Sequence, residues 1–433
     1  MNKKNLTAIL IPILTTVTFI LVVYFLTPFR ANFYFNHDEG ISLMLSMLIN
    51  KGYHLYTEIK HDHPPMLYLL LGQMYKFTGY SILASRMMVL SMISGFLGVL
   101  SFTLTKMVNK AAGLAVLGIA LVTPYMLEFA PLVLKDYPAL SIAAIGMCAV
   151  FAWHTSKKWL YIVIAAVIMA FAVAIKFSAG VLLPILFIGI FIENFISYRN
   201  GKQISAFWPA LTFFGLVSVL LIAFAYQFIG FSNLYMLVSP HLAATSLSSI
   251  KQDPFSVQIL PVLPLFLLAL ISAYYGVIAK KNTLMLYPAV WLLLGFSLLF
   301  NYQPLFTHHF FVIILPALIL SASGIGYAAE DLWPALRKGA AGPTSKLLAM
   351  IVLVGAFATV AFSIPRLSVS YSPTPWKVSE MDVSSRKRKI IRTLNDYAPK
   401  INWIFTDEPI YAFMVGKPVP PQLATWSEKL YYT

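Results

Sequence analysis

A succession of long apolar runs constrains the fold of this chain more than any other feature. A helix needs about 20 apolar residues to cross a bilayer, and in lipid only a helix or a closed barrel satisfies all its backbone hydrogen bonds. The sequence therefore predicts an all-α polytopic membrane protein with about 11 transmembrane helices. The predicted spans lie near residues 6–28, 81–105, 111–127, 138–153, 159–175, 178–197, 205–229, 257–279, 284–300, 309–328 and 347–364. Of these, 111–127 and 138–153 are short.

Composition supports a membrane protein and excludes most soluble classes. Hydrophobic residues make up 59% of the chain and charged residues only 11%, whereas soluble domains have about 45–50% and about 25%. A net charge of +15 would suit a nucleic-acid binder, but the positions of the charges indicate membrane topology and anionic lipid instead. No nucleic-acid partner is therefore expected. The single cysteine, Cys148, excludes an internal disulfide and a cysteine-based metal site.

Basic residues concentrate in alternate loops and predict the orientation of the chain. Short cytoplasmic loops carry an excess of lysine and arginine. This rule places the N-terminus in the cytoplasm, and an odd number of spans places the C-terminal tail outside a plasma (inner) membrane. The first apolar run is too long for the 7–15-residue core of a signal peptide, so we expect it to be retained. The basic loops hold Lys3, Lys4, Lys106, Lys110, Lys157, Lys158, Arg199, Lys202, Lys280, Lys281, Arg337, Lys338 and Lys346.

Residues 365–433 form a second predicted unit, after a transmembrane module at 1–364. The stretch 384–397 is typical of an amphipathic helix, and 401–405 ("INWIF") of a short strand. A lone strand cannot form a sheet, so we expect a small extracytoplasmic α/β domain that is truncated or that packs against the membrane module. The basic run at 386–389 is interpreted as a solvated face, with anionic headgroups of membrane lipids as the alternative partner.

The first outer loop, 29–80, opens with two adjacent carboxylates in the stretch "NHDEG" (36–40). Apolar residues then recur at helical spacing over about 14 residues, too few to span a bilayer. We therefore expect a helix lying in the membrane interface, with Asp38 and Glu39 in its first turn. One interpretation is that Asp38 caps this helix. The other is a chemical role, since further charged residues lie at span ends on the same side.

Several short motifs along the chain resemble those of a known family of membrane enzymes. After the first span come "HDEG", "GYHLY", "DHPP" and "SRMM", and later "LKDYP", "IKFSAG" and "PLFTHHFFVIILP". In this order they resemble the C-type (GT-C) polytopic glycosyltransferases of the protein O-mannosyltransferase and aminoarabinose-transferase group, in prokaryotic form. Each motif is weak alone, but the resemblance runs along most of the chain. In the tail, "FTDEPIYAFMVGKPVPPQLA" is similar to the outer domain of prokaryotic members.

The resemblance implies an inverting glycosyltransferase. Members of the group move a monosaccharide from a polyprenyl-phosphate donor to an extracytoplasmic acceptor hydroxyl on a glycan, a lipid or a protein. An acidic residue of the first outer loop is their catalytic base or the group that orients the acceptor, and Asp38 matches that position, with Glu39 as the adjacent acid. Asp62 and His63, within "HDHPP", match the prokaryotic Asp-x-Pro-Pro pattern better than the eukaryotic Asp-x-His-Pro-Pro. We expect both to support the site, and the departure leaves the acceptor open.

The implied chemistry needs a base for the acceptor hydroxyl and cations for the phosphate. Plainer interpretations stay open for some candidates: Arg86 as a boundary anchor, and Lys176 as a lysine that snorkels to the interface. Lys135 and Asp136 are equally consistent with a surface ion pair of about 0–1 kcal/mol. The candidates for binding the donor phosphate or sugar are Arg86, Lys135, Asp136, Lys176, His308 and His309.

No cofactor is required by this chemistry. A divalent metal held by Glu58, His61 and His63 is a less favoured alternative. Two rival functions are a lipid-linked oligosaccharide ligase, polymerase or flippase, and a membrane scaffold without activity. A flippase usually needs charges at mid-span positions, where this sequence has few. A scaffold predicts that replacing Asp38 by Asn has no effect on any transfer reaction.

Overall fold

The computed structural model describes residues 3–31, 34–200, 203–237, 255–301, 305–338, 343–370 and 385–425. Lys202, residues 238–254 of the predicted outer loops and the end of the tail (426–433) lie outside the described residues. The described α-helices are α1 (Lys3–Leu26), α2 (His37–Asn50), α3 (Met66–Thr78), α4 (Ile82–Met107), α5 (Lys110–Val122), α6 (Pro124–Phe129), α7 (Asp136–Ser156), α8 (Leu160–Ile175), α9 (Leu182–Arg199), α10 (Trp208–Phe228), α11 (Phe255–Ile259), α12 (Leu263–Tyr274), α13 (Leu286–Asn301), α14 (Phe311–Lys338), α15 (Pro343–Ser370), α16 (Ser385–Tyr397) and α17 (Pro409–Met414).

The helices confirm a multi-pass membrane protein. Within the described ranges, 9 helical segments are long and apolar enough to cross a membrane, and α5 and α8 are shorter apolar helices. Each of the 11 predicted spans coincides with one of the 9 long segments or with one of the two shorter apolar helices. The predicted short run 138–153 lies inside α7, which has 21 residues. It extends beyond the apolar run because 72% of its apolar window is covered by protein, so its ends need not be apolar.

The core of the bundle is built around α14. Of its apolar window, 94% is buried, against 17% for α1 and for α10. It packs against α5, α12, α13 and α15. A Cβ on Gly324 would collide with Ser272 of α12, so the glycine permits a close helix–helix approach. The central helix thus meets protein on all sides, while α1 and α10 present apolar side chains to lipid.

Two short helices of the first outer loop, α2 and α3, pack against each other as expected for interfacial helices. The tail packs on α2 through α17, which agrees with the alternative that the tail docks on the membrane module. The domain division at residue 364 stays a prediction, and α15 continues to Ser370.

The predicted strand at 401–405 is wrong, and the described part of the tail gives no support to its predicted α/β character. Among the described residues there is no β-strand, and the isolated bridge between Leu55 and Ile59 belongs to no ladder. Ile404 N donates to Pro418 O at 3.0 Å, but the neighbouring segment 418–421 contains three prolines. Proline has no N–H to donate, so the pairing cannot continue into a sheet.

Candidate active site

Asp38 lies in the first turn of α2, and it is not the cap of that helix. Asn36 is the cap: its Oδ1 accepts a hydrogen bond from Asp38 N at 2.8 Å. The capping interpretation of Asp38 is therefore wrong. The Asp38 side chain is 44% exposed, and an acidic side chain suits the first turn of a helix, near the positive end of the helix dipole. The carboxylate is thus accessible from outside the bundle.

Glu39 is fully buried and paired with Arg86. The guanidinium donates from Nε and Nη2 to the two carboxylate oxygens, at 2.8 Å each. Its Nη1 donates to Phe29 O at 2.9 Å and to Ala31 O at 3.0 Å, and Nη2 also donates to Tyr34 O. A guanidinium has five N–H donors, and these contacts use all of them.

This buried pair fastens the segment after the first span to α4. Glu39 Oε1 also accepts from Val133 N at 3.1 Å, so the pair holds the stretch before α7 as well. Removing one partner of a buried pair typically costs about 3–5 kcal/mol. The contacts show that this pair has a structural role, and the catalytic role of Glu39 and the donor-binding role of Arg86 stay predictions. Sequence alone could not pair them, because 47 residues separate them.

Four predicted site residues form a continuous chain of polar groups. Lys176, directly after α8, donates from Nζ to Asp136 Oδ2 at 2.6 Å. His308, in the short 3-10 turn before α14, places Nε2 at 3.8 Å from that same oxygen. The same Nε2 lies 3.9 Å from Asp38 Oδ2. Lys176, Asp136 and His308 are buried, so only the Asp38 end of this chain is widely open to solvent.

Lys135, the residue before α7, lies at the same end of the bundle. Its Nζ is 5.6 Å from the centre of the Tyr68 ring. Burial lowers the pKa of Lys135 from its ordinary value of 10.5, while the carboxylates of Asp38, Asp62 and Asp136 act to raise it. Lys135 therefore lies within electrostatic reach of the candidate base and of both other acids of the site.

The loop 54–65 positions Asp62 and His63 through a strained tyrosine. Tyr56 has φ of 71°, a left-handed conformation that is an outlier for a bulky residue. Its buried hydroxyl donates to His63 O at 2.7 Å. His63 Nε2 lies 3.6 Å from Asp62 Oδ1. Asp62 lies within electrostatic reach of Lys135, and the supporting role of Asp62 and His63 stays a prediction. Tyr56 was not identified from the sequence as the residue that holds this loop.

A cavity of about 540 Å³ lies between α7, α9, α13 and the start of α14. Its apolar wall includes Phe177 and Leu298, which are 45% and 50% exposed, so the cavity opens toward the lipid-facing surface. This volume lies within the usual range of about 300–1,000 Å³ for ligand sites. A ligand with an apolar chain and a polar head matches these walls. The polar lining consists of His63, Asp136, Lys176, Ser178, Ser297 and His309.

The alternative metal site at Glu58, His61 and His63 is not assembled. Glu58 instead accepts a hydrogen bond from His54 N at 2.7 Å within its own turn, and His61 Nε2 lies 3.0 Å from Tyr68 Oη. In the part of the chain that the structure describes, no group of three or more His, Cys, Asp or Glu side chains is placed to hold a metal ion.

The tail contributes support that the sequence did not reveal. A Cβ on Gly40 of α2 would lie 3.1 Å from Ile410 Cβ in α17, so the two helices are in close contact. Beside them, His37 Nδ1 lies 3.4 Å from Glu408 Oε2. Both contacts adjoin Asp38. The tail therefore buttresses the turn that carries the candidate base.

No protein-family model and no curated protein sequence matches this chain, but solved structures do. ArnT from Cupriavidus metallidurans, bound to undecaprenyl phosphate, matches with a TM-score of 0.55 at 15% identity, over 97% of this chain and 87% of ArnT. The apo form of ArnT matches with a TM-score of 0.51 at 14% identity, over the same shares of both chains.

Archaeal oligosaccharyltransferase structures match as well. An Archaeoglobus fulgidus oligosaccharyltransferase tethered with an acceptor peptide gives a TM-score of 0.53 at 12% identity, over 96% of this chain. AglB from the same organism, in complex with an inhibitory peptide and a dolichol-phosphate, gives 0.52 at 11% identity over 90%. This chain spans only 63% and 59% of their lengths. ArnT and AglB are both GT-C glycosyltransferases, and this chain has the GT-C fold that its motifs predicted.

Proposed function

We propose that this chain is an inverting glycosyltransferase of the cell membrane. It transfers a monosaccharide from a polyprenyl-phosphate donor to an extracytoplasmic acceptor hydroxyl. The fold shared with ArnT and AglB supports this proposal. So do the ligands in those structures, undecaprenyl phosphate in ArnT and a dolichol-phosphate in AglB. Each ligand joins an apolar chain to a phosphate, which is the chemistry that the cavity described above accommodates.

The observation that carries the proposal is the position of Asp38 beside that cavity. Its half-exposed carboxylate lies 3.9 Å from His308, which lies 3.8 Å from the Asp136–Lys176 pair of the cavity wall. A base open to the outside and a cation facing an amphipathic cavity are the two groups that the reaction needs. A scaffold protein needs neither arrangement.

The proposed reaction breaks one bond at the anomeric carbon and forms another. The acceptor oxygen attacks this carbon from the face opposite the phosphate, so the configuration inverts. Asp38 takes the acceptor proton, and polyprenyl phosphate leaves with the electron pair of the broken bond. A positioned base contributes about 10²–10⁴-fold to such a step.

Cationic side chains stabilise the phosphate as it leaves. Lys176 and His309 line the cavity, and Lys135 lies within electrostatic reach of Asp38 and Asp136. Charge-assisted hydrogen bonds of this kind are about twice as strong as neutral ones. We assign no cofactor to the reaction because these side chains supply positive charge themselves.

The proposed orientation places the N-terminus in the cytoplasm and the site, with the tail, outside the plasma membrane. The acceptor is a glycan, a lipid or a protein that carries a hydroxyl. Its access route is the exposed side of Asp38, because the cavity side is taken by the donor.

Replacing Asp38 by Asn tests the proposal directly. Purified protein in lipid vesicles is given a panel of radiolabelled polyprenyl-phosphate monosaccharides and a cell-envelope fraction as acceptor, with and without a chelator. We expect transfer from one donor, reduced at least about 100-fold in Asp38→Asn because the base is lost. Binding of the donor lipid is expected to persist in this variant.

Asp407→Asn is the matched control, because Asp407 is an exposed acid of the tail. It is expected to retain transfer. Full activity of Asp38→Asn would overturn the assignment of the base, and activity lost to the chelator would overturn the assignment of no cofactor.

Transfer of a whole oligosaccharide is the second candidate, favoured by the likeness to archaeal oligosaccharyltransferases. A lipid-linked oligosaccharide is therefore included in the donor panel. Transfer from it, with none from any monosaccharide donor, would replace the proposed function by oligosaccharide ligation or polymerisation. Movement of the lipid across the bilayer without transfer would instead indicate a flippase.

A further inference from the structure

His308 connects two parts of the site that do not touch each other. Asp136 and Lys176 belong to the wall of the cavity, whereas Asp38 and His308 lie outside the described lining. The imidazole Nε2 lies between Asp136 Oδ2 at 3.8 Å and Asp38 Oδ2 at 3.9 Å. A single nitrogen therefore faces both the donor-side carboxylate and the candidate base.

We propose that His308 is a positioning residue that couples the binding of an anionic phosphodiester at Lys176 to the charge around the base. One proton is taken up at His308 when the anion binds. This inference rests on the proposed function, because it takes the cavity as the donor site and Asp38 as the base.

The first step is competition for the ammonium group of Lys176. In the structure, Nζ lies 2.6 Å from Asp136 Oδ2 in a buried ion pair. A phosphodiester in the cavity attracts the same ammonium, so Asp136 loses part of its compensation. A buried carboxylate whose ion pair is weakened raises the free energy of the folded protein. His308 Nε2, 3.8 Å from the same oxygen, is placed to take up a proton and restore the balance.

The second step acts on the base. A protonated imidazole 3.9 Å from Asp38 attracts that carboxylate and holds it in its place beside the site. Hydrogen bonds of catalytic groups are often long in unliganded structures and shorten in the reacting complex. Donor binding thus places a positive charge beside the base, and the 44% exposure of Asp38 lets the proton that it accepts leave to solvent.

Few other charged groups share the surroundings of His308. The charged residues that act on it are Asp136, Lys176, Asp38 and Lys135. The neighbouring histidine, His309, has its ring centre 4.5 Å away. Phe306 stacks on the imidazole at 5.6 Å, and Phe129 meets it edge-on at 6.3 Å. The two aromatic rings cover the histidine, so the coupling runs through its polar neighbours.

The test measures how the affinity for a phosphodiester lipid depends on pH. Undecaprenyl methyl phosphate is titrated against the full chain in nanodiscs of zwitterionic lipid between about pH 6 and 8. A monoester probe would add its own second ionisation near about pH 6, which the diester lacks. Uptake of up to one proton makes the affinity rise as pH falls, by up to about tenfold per pH unit. We expect this slope in the wild type and its loss in His308→Gln.

His309→Gln is the matched control, since it removes the adjacent imidazole of the cavity wall, and we expect it to keep the slope. Asp136→Asn is a second variant that is expected to lose the slope, because a neutral amide needs no compensating proton. A slope that persists in both His308→Gln and Asp136→Asn, or that disappears in His309→Gln, overturns the coupling. A flat wild-type profile with tight binding does so too. Absence of binding at every pH overturns the donor assignment together with the coupling. Tight binding with a flat profile overturns the coupling alone.

Discussion

At the scale of single residues, two buried cation–carboxylate pairs have different roles because their surroundings differ. Arg86 is held by Glu39 and by three backbone carbonyls, so all its donors serve the structure. Lys176 has Asp136 as its partner but also lines the cavity. An ammonium group has three donors, so Lys176 can also donate to a ligand, which draws part of its charge away from Asp136. The first pair fixes backbone segments, and the second faces the candidate ligand.

Lys135 provides a pH-dependent prediction at this scale. Burial lowers its pKa below the ordinary 10.5, so at a given pH below that value a larger fraction is neutral and nucleophilic. We expect labelling of Lys135 by an amine-selective reagent, followed over a pH range that includes about pH 8.5, to level off at a lower pH than labelling of the exposed Lys51. A bound lipid phosphate stabilises the ammonium, raises the pKa and slows the reaction. Mass spectrometry of labelled peptides measures both effects.

The comparison can fail in two ways. Labelling of Lys135 and Lys51 that levels off at the same pH would contradict the lowered pKa. Labelling of Lys135 that is indifferent to undecaprenyl phosphate would remove this lysine from the donor site.

At the scale of helices, α2 is held from two directions. Its inner face packs on α3, and its N-terminal turn packs on α17 of the tail. The hydroxyl of Thr425, beyond α17, also bonds to Lys60 O in the loop 54–65. The helix that carries Asp38 and the loop after it therefore contact residues far away in the sequence. Lys60 and Thr425 are 365 residues apart, and His37 and Glu408 are 371 residues apart.

Gly40→Ala tests the contact between α2 and α17. The new Cβ would lie 3.1 Å from Ile410 Cβ and 3.2 Å from Ile410 N, so one helix must shift. Overpacking of this kind costs about 1–3 kcal/mol, and the shift moves Asp38. We expect a lower unfolding temperature in detergent and reduced transfer.

Gly95→Ala is the matched control, because a Cβ there meets nothing within 4 Å and alanine favours a helix. It is expected to leave stability unchanged or slightly higher. Equal stability of the two variants would mean that α17 does not pack closely on α2.

At the scale of the whole molecule, the polar residues of the site gather at one end of the bundle. Span lengths and loop charges predict that this end is extracytoplasmic. The nearly enclosed α14 ties most of the bundle together, and the cavity opens beside its first turns. A lipid-linked donor can therefore approach from the membrane while an acceptor approaches Asp38 from the aqueous side.

Cysteine labelling in intact cells tests this orientation. Cys148 is buried and is the single cysteine of the chain, so Cys148→Ala provides a clean background. We expect Thr57→Cys, in the first outer loop, to react with a membrane-impermeant maleimide in intact cells. Ser156→Cys, at the far end of α7, should react only after permeabilisation. The reverse pattern would place Asp38 in the cytoplasm and overturn the proposed orientation.

Several features of the site could be predicted because they depend on short stretches of sequence. Asp38 in the first turn of an interfacial helix follows from the pattern after "NHDEG", and the helix has the expected bounds. The cap was assigned wrongly, because Asn36 and Asp38 both have suitable side chains and only the backbone conformation distinguishes them. The strand at 401–405 failed because a strand needs a partner, and the partner segment is rich in proline.

Local patterns in the sequence predict the spans, their orientation and the set of polar residues on one face of the membrane. These are local properties, since apolar length and loop charge are read within a few tens of residues. Helix packing sets which acid is buried with Arg86 and which stays open. It also places His308 between Asp38 and Asp136 and the tail against α2. Such contacts join residues far apart in the chain, and helix packing rather than local pattern sets which of them meet.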